Sequence, residues 1–281
     1  MDISKLSGVV PPVVTPLNED KKFDKKSFEK VINRLIDAGV DGLFILGSTG
    51  SVVFLTKDER DEVICAADEI ISGRTPLLVG CIDTQTNRVI EHIKVCEKYN
   101  VDAVVATAPF YALDCQENIE RHFRKLHEAT DLPIFAYDLP VCVHKKLDHN
   151  LLVKLGCEGV LAGVKDSSGD DVGFRYLCME NEKQGHPLRI FTGHEVVAEV
   201  FLFTKIYPTL MGWLHGVLTP ADSMTIWAFA FSLPVSFFFM LRYRWKFQFV
   251  KERLRNLFNK SAMNLRNEAI QCVQKLVAKY K

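Results

Sequence analysis

Short apolar runs recur along this chain at intervals of roughly thirty residues, each followed by a helical pattern, and no other feature constrains the fold as much. The runs cover residues 8–14, 41–47, 76–81, 102–109, 133–140, 159–165 and 188–193. They are apolar at consecutive rather than alternate positions, which is the pattern of parallel strands covered on both faces. The segments between them carry helix signals. Asp24 can cap a helix whose apolar positions include Phe28, Ile32, Leu35 and Ile36 and which ends at Gly39; Thr56 with Glu59 forms a capping box. Further helices are expected over 86–99, 117–129, 149–155 and 172–181. Parallel strands joined by helices require right-handed crossovers, and an eighth strand near 206–211 would close a (β/α)8 barrel. The expected class is therefore α/β: a TIM barrel over residues 1–222 with a C-terminal helical extension over 223–281. An open doubly wound sheet is the alternative, but no G-x-G-x-x-G follows the first run, so a dinucleotide site has no support.

Composition removes several function classes. Lys plus Arg (35) equals Asp plus Glu (35), so no overall field attracts nucleic acid. The eight cysteines are scattered without a C-x-x-C pair or a histidine cluster, which excludes zinc-ligand spacing and argues against a disulfide framework. The first residues, Met-Asp-Ile-Ser-Lys-Leu, lack the apolar stretch of a signal peptide, so a cytoplasmic protein is expected.

In a barrel the chemistry sits at the C-terminal ends of the strands, and four of the runs end in reactive or ligand-binding residue types. Run 159–165 leads into Lys165, followed at once by the polar turn Asp166-Ser-Ser-Gly-Asp170. A lysine at the end of a buried strand either reaches water with its head or gives up its proton to burial. In the second case it becomes a nucleophilic amine, as imine chemistry with carbonyl compounds requires. Gly47-Ser48-Thr49-Gly50 closes the second run; its glycines let backbone N–H groups approach a small anion, while Ser48 and Thr49 add hydroxyls. Tyr137 lies near the end of the fifth run, and Tyr111 follows the fourth. An amine, a phenol and a hydroxyl cradle converging on one rim suit carbonyl chemistry.

The motifs Pro11-Pro-Val-Val-Thr-Pro16, Gly39 through Gly50, Ala108-Pro-Phe-Tyr111, Tyr137-Asp-Leu-Pro140 and Gly163-Val-Lys-Asp-Ser-Ser-Gly-Asp170 come in the order and spacing of a known family. The chain resembles the dihydrodipicolinate synthase / N-acetylneuraminate lyase group of class I aldolases over about residues 8 to 199. The resemblance implies a Schiff base between Lys165 and pyruvate or another 2-keto acid, followed by making or breaking of a C–C bond. It also implies that Tyr137 relays protons, that Ser48, Thr49 and Gly50 hold the keto-acid carboxylate, and that the Ser48 hydroxyl joins the tyrosine's relay. Tyr111 matches the tyrosine that crosses a dimer interface in many members, so a homo-oligomer, a dimer or tetramer, is implied. No metal or organic cofactor is implied, because the protonated imine is itself the electron sink. The expected partner is a small 2-keto acid, with neither nucleic acid nor membrane.

The chain departs from the family in several places. Cys142 stands where dihydrodipicolinate synthases carry an arginine for a second carboxylate; Asp138 replaces an asparagine; and His144 lies where many aldolases have a small residue. Asp138, Cys142 and His144 are accordingly expected among the substrate-binding residues. Ser51 stands where the family has a glutamate. The largest departure is residues 200–249, which lack the family's glycine-rich eighth strand and hold the apolar run 226–241 with Pro234 inside it. Three readings of that run stand open: a buried helix pair kinked at the proline, a membrane-associated segment too short for a straight span, or a locally altered reading frame. The alternative to an active lyase is a family member that binds keto acids or sugar acids without turnover.

Overall fold

The computed structural model of this protein describes residues 6–112 and 115–194. Six parallel strands stand side by side in chain order: β1 (Leu43–Ile45), β2 (Leu77–Gly80), β3 (Ala103–Thr107), β4 (Ile134–Asp138), β5 (Gly163–Asp166) and β6 (Arg189–Thr192). An order that never reverses is the order of a barrel wall. A doubly wound sheet would reverse it at a switch point, so that alternative falls. The fold is the α/β barrel class, of which six consecutive strands are described. The eighth strand, the boundary at residue 222, the helical extension and the whole of 200–249 lie outside the described residues.

The first apolar run is not a strand. Pro11 and Pro12 lack N–H groups, so residues 8–14 cannot build a ladder. They join β1 through a single parallel bridge, Pro12 to Phe44. The Val13 N–H donates to the Phe44 carbonyl at 2.8 Å, and the Phe44 N–H donates to the Pro11 carbonyl at 3.1 Å. The other six runs each become a strand.

The helices follow the alternation: α1 (Lys25–Asp37), α2 (Lys57–Ile71), α3 (Thr86–Cys96), α4 (Gln116–Ala129), α5 (Pro140–Val143), α6 (His149–Cys157) and α7 (Asp171–Lys183). Both expected caps form. Asp24 accepts from the Ser27 N–H, and Thr56 and Glu59 exchange bonds as a full capping box. Helix α3 stops at Cys96 rather than residue 99, because the Lys98 and Tyr99 N–H groups turn to the carbonyls three residues back, Val95 and Cys96. The single turn α5 was not expected, although Pro140 at its first position suits a helix start.

The core lies between the strands and the helices. Phe28, Ile32, Ile93, Ile119, Phe123 and Leu126 on the helices are fully buried against it. Strands β1 to β4 are buried at every position, and β5 at all but Lys165. Register decides which residues face inward. Thr107 is opposite Tyr137, Tyr137 opposite Lys165, and Lys165 opposite Phe191, so these four form one row on one face of the sheet. Two residues lower on the same face, Phe135 is opposite Gly163, and the Phe135 ring meets that of Phe191 at 6.1 Å. Ala106, Ala136 and Val164 alternate onto the other face. Among the described residues no helix is long and apolar enough to cross a membrane.

Candidate active site

Lys165 comes from the middle of that inward row. Its ammonium nitrogen sits 4.4 Å from the centre of the Tyr137 ring and 4.5 Å from the centre of the Phe44 ring. The two rings meet edge to face at 6.1 Å, and Tyr137 is buried. Gly163, two residues before the lysine, makes room for the Phe135 ring on the same face of the sheet. A Cβ there would come 2.2 Å from the Phe135 ring and 2.4 Å from the Arg189 carbonyl oxygen. Aromatic faces attract a cation, yet burial is the stronger effect and brings the Lys165 amine down from 10.5 to about 8. A neutral amine is therefore accessible near neutral pH, which a lysine in water does not offer.

The Gly47–Gly50 turn follows β1 directly. Gly50 packs its backbone against Leu46 and Val13, where a Cβ would meet the Leu46 nitrogen at 3.0 Å and the Val13 carbonyl oxygen at 3.1 Å. The Thr15 hydroxyl donates to the Gly50 carbonyl at 2.8 Å, and the Ser51 N–H donates to the Ser48 carbonyl at 3.0 Å. These bonds fix the turn while leaving the Ser48 and Thr49 side chains exposed. Among the described residues no hydrogen bond joins Ser48 to Tyr137, so the structure sets the two on the same rim without linking them.

Asp138 is placed differently from expectation. It follows Tyr137 on the same strand, so the pleat turns it to the helix side of the sheet, where it is fully buried. There it stands opposite Asp166, the residue after Lys165. Lys146 binds both carboxylates: its ammonium is paired with Asp138 and lies 3.3 Å from Asp166. The Leu147 N–H completes Asp138 at 3.2 Å, while Ser168 gives Asp166 its backbone N–H at 2.8 Å and its hydroxyl at 2.7 Å. Burial pushes the Asp138 carboxyl up despite the cation beside it. Burial opposes the charge of Lys146 as well, but the two carboxylates win and raise it. Asp138 therefore does not reach the Lys165 pocket; with Asp166 and Lys146 it ties the end of β4 to the end of β5, directly behind Tyr137 and Lys165.

The remaining expected residues lie further out. Cys142 is exposed on α5, and His144 caps that turn in a left-handed conformation, also exposed. Tyr111 is 93% exposed with φ +78°. Phe44 and Lys146 were not foreseen. Phe44 sat in a uniformly apolar run that gives no sign of which face it takes. Lys146 reaches back to Asp138 through a turn, which no spacing rule detects. Among the described residues no three His, Cys, Asp or Glu side chains stand close enough to hold a metal ion.

Comparison with known proteins finds relatives of this chain. The model of the dihydrodipicolinate synthetase family matches residues 5–203. A DapA-like lyase of Halobacterium salinarum, itself uncharacterised, is 36% identical over 166 residues, covering 59% of this chain and 54% of its own. The 4-hydroxy-tetrahydrodipicolinate synthase of Porphyromonas gingivalis is 29% identical over 204 residues, covering 72% and 67%. A probable 2-dehydro-3-deoxy-D-pentonate aldolase of Escherichia coli K12 is 28% identical, covering 69% and 64%. A solved structure of an Escherichia coli K12 prophage protein of the dihydrodipicolinic acid synthase family, in complex with pyruvate, superposes with a TM-score of 0.66 at 27% identity, covering 69% of this chain and 65% of that one. The chain thus spans between about half and two thirds of the length of these relatives.

Proposed function

This chain belongs to the dihydrodipicolinate synthetase family, and from that premise we propose that it is a class I lyase acting on pyruvate or a similar 2-keto acid through an imine at Lys165. The observation that carries the proposal is the Lys165 amine itself, held by burial to a pKa of about 8 against the faces of Tyr137 and Phe44. The neutral amine adds to the keto carbon, the carbinolamine loses water, and the protonated imine draws electrons from the neighbouring carbon. Loss of a proton there gives an enamine, whose carbon attacks an aldehyde to form a C–C bond; the reverse order breaks one. Protons must pass at each stage, and Tyr137 is the hydroxyl-bearing side chain against which the amine is packed, the position of a relay. Ser48 and Thr49 hold the carboxylate of the keto acid through the Gly47–Gly50 turn.

Two supports come from outside the chain. Solved relatives in the same family, the Escherichia coli prophage protein and an Acinetobacter baumannii dihydrodipicolinate synthase, were each crystallised with pyruvate. Cys142 in place of an arginine points to an acceptor aldehyde without a second carboxylate. The reading also carries a cytoplasmic protein that works as a dimer or tetramer, with the exposed Tyr111 at the contact between copies.

Incubation with pyruvate followed by borohydride tests the proposal. A stable adduct mapped to Lys165 is the expected result, and a folded sample that gains none overturns it. An adduct without turnover on any aldehyde would select the binding-only family member instead.

A further inference from the structure

Thr107 ends β3 in the same inward row as Tyr137 and Lys165, directly opposite Tyr137 on the neighbouring strand. Thr107 is 2% exposed, and among the described residues its hydroxyl has no hydrogen-bond partner. A buried hydroxyl left unpaired is destabilising, and a valine of the same shape would avoid that cost. Neighbouring strands lie about 4.8 Å apart, so the hydroxyl stands one strand away from the tyrosine ring that carries the Lys165 amine. The two features together, an unpaired polar atom and a position on the face that carries the amine, are what a ligand contact looks like before the ligand arrives.

We propose that Thr107 is a specificity-determining residue whose hydroxyl hydrogen-bonds an oxygen of the 2-keto acid held at Lys165. The inference rests on the imine reading of Lys165 and extends the binding wall to β3, beyond the Ser48 and Thr49 turn. Such a contact selects ligands carrying an oxygen on the β3 side of the Tyr137 ring, because any other ligand leaves the hydroxyl buried and unpaired.

The test compares wild type, Thr107→Val and Thr107→Ser, reading pyruvate-dependent borohydride trapping at Lys165 and thermal unfolding without pyruvate. Valine keeps the shape and removes the hydroxyl. It is expected to raise the pyruvate concentration for half-maximal trapping about tenfold, while leaving the ligand-free melting temperature unchanged or higher. Serine restores the hydroxyl and is expected to bring that concentration back to within about threefold of wild type. Equal pyruvate dependence in wild type and Thr107→Val overturns the assignment, and so does a valine variant that unfolds at lower temperature, since the hydroxyl would then have a structural partner. A wild type that traps no pyruvate refutes the Lys165 reading first, and this inference falls with it.

Discussion

Lys165→Met should make the folded protein more stable at neutral pH, and the gain should vanish in alkali. The folded lysine has a pKa of about 8 against 10.5 for the free side chain. At about 1.4 kcal/mol per tenfold change in proton affinity, holding it protonated in the fold costs roughly 3 kcal/mol. Below about pH 8 both folded and unfolded chains carry the proton, so the whole cost is present. Between about 8 and 10.5 the unfolded chain binds more protons than the folded one, so wild-type stability rises with pH. Methionine is of similar length, carries no charge and suits aromatic neighbours such as Phe44 and Tyr137. Urea unfolding of both proteins at pH 7 and pH 10 reads the effect, and the difference between them cancels every other titrating group. The variant should gain about 2–3 kcal/mol at pH 7 and less than about 1 kcal/mol at pH 10. A variant less stable than wild type at pH 7 refutes the reasoning, as does a difference that is the same at both pH values.

Other outcomes follow from the same geometry. Tyr137→Phe should keep the ring that packs on Phe44 but slow turnover roughly a hundredfold, measured in steady-state assays; an unchanged rate removes the phenol from the proton path. Lys146→Met leaves two buried carboxylates facing each other and should cost about 3–5 kcal/mol in urea unfolding. Adding Asp138→Asn to that variant should recover a large part of the loss, and no recovery would mean that charge is not what Lys146 supplies. Thr56→Ala removes one side of the capping box of α2 and should cost about 1 kcal/mol in the same assay.

Much of the fold could be read directly from the chain, because strands covered on both faces announce themselves as unbroken apolar runs. That same uniformity hid the faces. Within 133–140 nothing but the two-residue alternation of a strand separates Tyr137 from Asp138, and only one of the two can point at Lys165. The alternation was available in the sequence and, applied strictly, sends Asp138 to the helix side. Lys146 could not be found that way. Its partnership with Asp138 and Asp166 depends on how α5 and the turn after it fold back on the strand ends. Residues 8–14 looked like a strand because their apolar character was counted and the missing N–H groups of Pro11 and Pro12 were not. Lys165 and Tyr137 were legible for a simpler reason: each lies at or near the end of an apolar run, and in a barrel those ends meet on one rim.

In the proposed mechanism, burial makes Lys165 an amine ready to form an imine near neutral pH. The most direct test is the initial rate at which pyruvate and cyanoborohydride modify Lys165, followed by peptide mass from pH 6 to pH 10. Modification confined to Lys165, rising with a midpoint of about 8 and absent from Lys165→Met, is the expected result. Modification spread over surface lysines and rising only toward 10.5 would contradict it.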